Sequence, residues 1–405
     1  MLKKIFLPLL FLIITFSISG HQAYGQEWPS SLSEDAQIML LTVSPGQELY
    51  SLFGHSALRI YDPQHNLDRV FNYGTFDFEP TLAFYWSFIK GRLDYLLVAY
   101  PFEQFLREYR YENRSVVQQT LELNDSQKNR IYHFLVENQR PENRAYKYDF
   151  FYDNCSTRIR DIFEYELQDD LSIYPADKKF DKTYRDLVHE YTSGKPWADL
   201  GIKLILGHPS DKRATGRGYL FLPDYMMSAF DSAVVTVDDK QVPFVSQKEV
   251  VLQSEGEGAP TNHAWYQKPI VVMWAVFLPL LVISIKNILQ QSRTRWIDFL
   301  LYKKLGLVGL FFLFCWFGTD HAVAPWNLNM LWAFPAHIVM ALFLIKAAKK
   351  PWVRGYFLTF SVLAVMILLN WFWLPQPFHT ALIPLILLIA LRGIVIYRAD
   401  KMPSE

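Results

Sequence analysis

Cysteine is nearly absent: Cys155 and Cys315 are the two in 405 residues. One lies in a polar region and the other inside an apolar run, so they are not expected to pair, and no disulfide framework holds the fold. Net charge is absent as well, at a formal +0. With no long basic tract and no nucleic-acid motif, the chain is not built to bind nucleic acid. Charged residues make up only 20%, against 51% hydrophobic and 16% aromatic, and the apolar load is unevenly spread. The length allows two or three domains. No cofactor and no metal are expected.

Lys3 and Lys4 precede an apolar stretch from Ile5 to Ile18, and Ala23-Tyr24-Gly25 is a small-x-small cleavage site. This predicts a signal peptide over 1–25 and a mature start near Gln26, with an uncleaved anchor as the other reading. No cysteine follows the site, so the protein is not itself a lipoprotein. In either case the next domain, 26–255, is exported. An unpaired Cys155 in an oxidising compartment then needs a reason, and chemistry is one.

Residues 256–268 read as a linker, and from Pro269 the composition changes. Ile270–Ile285, Leu305–Phe317, Leu328–Ile345, Tyr356–Leu374 and Leu382–Tyr397 are apolar runs of membrane type. The loops at 286–304 and 346–354 are basic, whereas those at 318–327 and 374–379 are not. With the first domain exported, the basic loops fall on the cytoplasmic side. The expectation is an all-α five-helix transmembrane bundle over 269–398, with a cytoplasmic tail over 399–405. Its exported face carries Asp320, His321, Asn327, Asn329 and His379, a candidate membrane-side site, and His337 lies deeper in the third run. Interfacial polarity, or a buried hydrogen-bonded contact for His337, is the competing reading.

The exported domain reads as α+β. Residues 36–43 form a helix or strand ending at Ser44-Pro45-Gly46, and 52–61 read as a strand closed by Asp62-Pro63. A second strand at 69–74 pairs with it across about seven residues, placing Asn72 and Tyr73 on opposite faces. Residues 78–90 are rich in aromatics. Strands are expected at 93–99 and 114–123, and Asn124 with Gln127 forms a capping box. Val234 to Val237 reads as a short strand, with 242–244 as its partner.

The stretch Tyr148 to Arg158 carries the chemistry. Ile159, Ile162 and Phe163 follow Cys155 with helical spacing, and Asp153 or Asn154 is placed to cap. A thiol in the first helical turn meets unpaired N–H groups and the positive helix end, which favour thiolate. A structural cysteine at a helix start is the plain alternative. A thiol nucleophile needs a base, and His55, at a strand start beside Gly54, is the best placed histidine before Pro269. His65 sits in a polar loop and His133 in a helix.

Phe53-Gly54-His55-Ser56-Ala57-Leu58-Arg59, followed downstream by Asp153-Asn154-Cys155-Ser156, resembles the permuted branch of the NlpC/P60 and papain-like superfamily. There the histidine strand precedes the Asn-Cys helix, as in lecithin–retinol acyltransferase-like proteins. The whole chain resembles the Bacteroidota family with an Lnb-type N-terminal periplasmic domain and a C-terminal membrane bundle. Members are associated with lipoprotein N-acyltransferase activity. The resemblance implies Cys155 as nucleophile and His55 as general base, with Asn72 as the chosen third residue and Tyr73, Asp77 and His65 as rivals. Asn154, Ser156, Tyr73 and Arg59 would support the site. It further implies a phospholipid acyl donor, a diacylglyceryl lipoprotein acceptor, and the periplasmic side of the inner membrane. The alternative is a membrane-tethered NlpC/P60-type cell-wall peptidase or a phospholipase-like thiol hydrolase.

Overall fold

The computed structural model describes residues 28–76, 81–174, 180–255, 264–345 and 350–399. The expected signal peptide, most of the linker, the tail from residue 400, Asp77 and His263 lie outside the described residues.

Strands β1 (Gln37–Val43), β2 (His55–Asp62) and β3 (Leu67–Thr75) form an antiparallel meander. Residues 36–43 are therefore strand, and Leu67 and Asp68 extend the β2–β3 hairpin until its loop is only 63–66. Helix α1 (Leu82–Ile89) precedes β4 (Asp94–Pro101), α2 (Phe102–Tyr111), β5 (Val116–Leu121), α3 (Asp125–Asn138) and β6 (Ala145–Lys147). Then come α4 (Cys155–Leu167), β7 (Leu171–Ser172), α5 (Tyr184–Thr192), α6 (Pro196–Ile205), α7 (Gly216–Tyr219) and α8 (Pro223–Ser232). Strands β8 (Val234–Val237), β9 (Lys240–Pro243) and β10 (Val245–Leu252) close this α+β part. The main sheet runs β10-β5-β1-β2-β3-β4-β6, and β7-β8-β9 form a second, smaller sheet. Strand β10 had no expectation from sequence, because Ser246 to Glu249 are polar and exposed, as an edge strand allows.

The two-residue period of β2 sorts the site. Leu58 and Ile60 point to one face, where they pack with Phe71, Ile159, Ile162 and Phe163 under α4. Ala57 points to the other, against Phe105, Leu106 and Tyr109 of α2. The sheet is thus covered on both sides, and β2 runs between α4 and α2. Gly54, at φ +77°, turns the chain into β2; a Cβ there would lie 2.8 Å from the Val43 carbonyl oxygen.

The helical part contains α9 (Pro269–Leu289), α10 (Arg295–Phe317), α11 (His337–Ile345), α12 (Pro351–Leu369) and α13 (Ile383–Ala399). Among the described residues four helices are long and apolar enough to cross a membrane, namely α9, α10, α12 and the stretch Thr380–Ala399. The third apolar run differs from the continuous helix expected over Leu328–Ile345. It forms a 3₁₀ turn, Leu328–Leu331, and then α11. Asn327 caps that turn, and Pro335 disfavours helical backbone at Phe334. Three helices are clamped by charge: Arg392 of α13 donates through Nε to Asp298 of α10 at 2.7 Å. Its Nη1 reaches Ser284 and Asn287 of α9 at 3.1 and 2.9 Å.

The two parts touch through polar contacts. Asn327 donates to the Leu204 carbonyl of α6 at 2.7 Å, and His379 Nε2 lies 3.3 Å from the Asp199 carboxylate. Leu200 of α6 joins the core of the helical part.

Candidate active site

Asn154 fixes where α4 begins. Its Oδ1 accepts from the Thr157 N–H at 2.9 Å, and the Thr157 hydroxyl accepts from the Asn154 N–H at 2.7 Å. Its Nδ2 donates to the Phe150 and Phe221 carbonyls, each at 2.9 Å. The cap is thus tied to two other segments, and Cys155 is held as the first residue of the helix. Its thiol is free and half-buried.

His55 opens β2 and is hydrogen-bonded to Cys155. Its Nε2 lies 2.5 Å from Asn72 Oδ1 on β3. Asn72 Nδ2 donates to the Tyr100 hydroxyl of β4 at 2.7 Å, and Tyr100 is hydrogen-bonded to Glu108 of α2. This chain sets the proton positions. With Tyr100 donating to Glu108, its oxygen accepts from the Asn72 amide, so Asn72 turns its oxygen to His55. Nε2 then carries a proton, and Nδ1 is left for the thiol. Tyr109 stacks on the imidazole with ring centroids 6.3 Å apart.

Burial alone pushes the thiol up and the imidazole down. The mutual charge attraction and hydrogen bond of the pair outweigh it. The Ser56 backbone N–H and the Ser156 hydroxyl add to this on the sulfur, and the Asn72 amide on the ring. The net result holds Cys155 below the usual thiol value and His55 above the usual imidazole value. The α4 dipole acts in the same direction on the sulfur. A thiolate beside an imidazolium can attack an acyl carbon and return a proton to the leaving group.

Residues 26–193, which hold both His55 and Cys155, match the Lnb N-terminal periplasmic domain, and residues 261–402 match the Lnb transmembrane domain. The chain belongs to the Lnb family. It is therefore a membrane protein with a periplasmic domain, and membership points to an enzyme. No curated protein and no solved structure matches the chain.

Around this Lnb-family site, Ser156 is fully buried, with its hydroxyl 3.0 Å from that of Ser56. Other expected residues are placed elsewhere. Tyr73 lies in the core on the opposite face of β3 from Asn72 and donates to Asn138 at 2.5 Å. Arg59 is taken up by Asp68 at 2.7 Å and Gln118 at 2.9 Å. His65 pairs with Asp62 at 2.7 Å. The polar residues expected on the membrane side are engaged elsewhere than at Cys155. Asp320 binds Arg92 at 2.6 Å, His321 meets the Ile89 carbonyl at 3.1 Å, and Asn329 accepts from Trp332 at 3.0 Å. Together with Asn327 and His379 they mainly join the periplasmic domain to the helices. His337 is buried inside the helical part, its Nδ1 2.7 Å from the Tyr356 hydroxyl.

The sequence reading missed Tyr100, Glu108 and Tyr146. The first two end the hydrogen-bond chain from His55. Tyr146 of β6 lies near the thiol and is raised by burial and by the Cys155 charge, and its buried hydroxyl has no partner among the described residues. A tyrosine two residues before Tyr148, in the lead-in to the Cys155 helix, was the available signal.

Proposed function

We propose that this Lnb-family protein is a lipoprotein N-acyltransferase working by ping-pong transfer through Cys155. The observation that carries the reading is the Cys155–His55–Asn72 chain, in a domain seated on apolar helices. The order of histidine strand before cysteine helix supports a permuted NlpC/P60-like arrangement. In the proposed topology the signal peptide 1–25 is removed, and domain 26–255 faces the periplasm above the linker 256–268. The bundle 269–398 makes five passes of the inner membrane, with α11 as part of the third, and the tail is cytoplasmic.

The Cys155 thiolate attacks an ester carbonyl of a membrane phospholipid. The tetrahedral oxyanion accepts from the Cys155 backbone N–H at the head of α4, and the Tyr146 hydroxyl is the proposed second donor. The C–O bond breaks, the imidazolium of His55 protonates the departing lysophospholipid, and a thioester remains. The α-amine of a diacylglyceryl cysteine then attacks the thioester carbonyl. His55 takes its proton, the C–S bond breaks, and the thiolate returns as the amide forms. Asn72 holds the imidazole in the tautomer this needs. A site at the lipid interface limits water, and so favours an amine over hydrolysis.

The test is intact mass spectrometry of the full chain in vesicles whose phospholipid carries one isotopically heavy acyl chain, with no lipoprotein added. A heavy acyl adduct on Cys155 that neutral hydroxylamine removes is expected, and it is absent in Cys155→Ala. Heavy free fatty acid released without an adduct would instead make the protein a phospholipase-like hydrolase.

A further inference from the structure

Helix α1 has no buried residue, although only one of its eight side chains, Ser87, is non-aromatic and polar. Leu82 is 90% exposed, Trp86 and Phe88 are each 52% exposed, and Ile89 is 48% exposed. A helix that is apolar all round is ordinarily a buried one, and a contiguous apolar patch on a protein surface marks an interaction site. Beyond Trp86 against Phe314 and Phe84 against Phe76, the large side chains of α1 stay exposed among the described residues.

The position of α1 identifies what covers it. Trp86 meets Phe314 near the periplasmic end of α10, with ring centroids 5.8 Å apart. The turn after α1 is bolted to the loop beyond α10. The Asp320 N–H donates to the Lys90 carbonyl at 2.8 Å, and Arg92 Nε reaches the Asp320 carboxylate at 2.6 Å. Gly91, at φ +68°, admits the His321 ring so closely that a Cβ there would lie 2.9 Å from it. These contacts hold α1 against the periplasmic end of α10. The periplasmic ends of the helices carry exposed Trp265 and Tyr266 before α9, Phe317 at the end of α10, and Phe372 and Trp373 after α12. That is the aromatic belt expected where membrane helices meet the headgroup region. Joined to the end of α10 by these contacts, α1 adds its exposed aromatic residues to this belt.

We propose that α1 lies in the outer leaflet of the bilayer that holds the helices, as an interfacial segment of the periplasmic domain in contact with phospholipid acyl chains. The expected depth is that of interfacial helices, about 5–10 Å into the headgroup–acyl boundary. Lys90, its ammonium 4.7 Å from the Trp86 ring centroid, ends the helix with a cation at headgroup level. Helix α1 also connects β3, which carries Asn72, to β4, which carries Tyr100. The lipid-covered element is therefore built directly into the support of His55. The assignment does not depend on the acyl-transfer reading, since it concerns contact with lipid and not chemistry.

The full chain, in a Cys155→Ser, Cys315→Ala background, receives Phe88→Cys or, as a reference on the domain surface, Tyr165→Cys, which is 68% exposed. Each is labelled with an environment-sensitive fluorophore. The proteins are reconstituted into phosphatidylethanolamine–phosphatidylglycerol vesicles containing nitroxide lipid. The label at 88 is expected to be quenched several-fold more than the label at 165, most strongly by nitroxide high on the acyl chain, and shielded from aqueous iodide. Equal quenching at the two positions would overturn the proposal. So would a label at 88 shielded from iodide yet untouched by lipid nitroxide, because another protein surface would then be its cover. Trp86→Cys, labelled in the same way, repeats the measurement on the neighbouring side chain.

Discussion

At Cys155, burial and ion pairing oppose each other, and the pair with His55 prevails. A thiolate reacts with electrophiles far faster than a thiol, so the depressed pKa of Cys155 fixes a sign. Alkylation of Cys155 by iodoacetamide should rise through an inflection below that of an ordinary thiol. His55→Ala removes the attraction and leaves the burial, so the inflection moves up. An unchanged inflection in His55→Ala would contradict the pairing. His55 and Cys155 were legible because each sits at an element start beside a local signal, Gly54 in one case and Asn154 in the other. Asn72 has Tyr73, Asp77 and His65 as rivals in the sequence, and strand alternation separates the first two, turning Asn72 to the imidazole and Tyr73 into the core. Tyr100 and Glu108 were not legible, because their approach depends on the β3–β4 register, in which Val70 lies opposite Tyr100. Tyr146 depends in the same way on β6 pairing with β4, where it lies opposite Tyr95.

At the scale of elements, α10 and α13 are held by an ion pair with no exposure at either partner, and α9 joins through hydrogen bonds from Arg392 to Ser284 and Asn287. Removing Asp298 takes the carboxylate partner away from the buried Arg392 guanidinium, which costs about 3–5 kcal/mol. Asp298→Ala should therefore lower the unfolding temperature of the detergent-solubilised protein sharply. Replacing Asp298 and Arg392 together by Leu and Met should recover part of the loss, because the buried Arg293 side chain, 3.9 Å from the Asp298 carboxylate, still loses that neighbour. An unchanged melting temperature in Asp298→Ala would contradict the clamp. A charge inside an apolar run was the signal for this pair, but the partner on a helix some ninety residues away is fixed only by packing. Elements with strong period or caps, such as β2 and the Asn124 capping box before α3, read clearly from sequence. The third apolar run did not, because composition gives its length but not the break that Asn327 and Pro335 impose. Strand β10 was hidden by its polar edge position.

At the scale of the whole molecule, the periplasmic domain is tied to the helices on two sides. Arg92 and Asp320 join the α1 turn to the end of α10, and Asp199 and His379 join α6 to the loop before α13. Burial raises the Asp199 carboxyl, but hydrogen bonds from His379, Thr192, His189 and Lys203 outweigh it and hold the group well below the usual carboxylate range. This seating fits the proposed transfer, in which donor and acceptor are both anchored in lipid. The most direct measurement is mass spectrometry of lipoprotein N-termini in cells depleted of their own N-acyltransferase and expressing this protein. Wild type should give N-acylated diacylglyceryl cysteines, and Cys155→Ala should leave free α-amines. Free α-amines with the wild type, or N-acylation persisting in Cys155→Ala, would contradict the account.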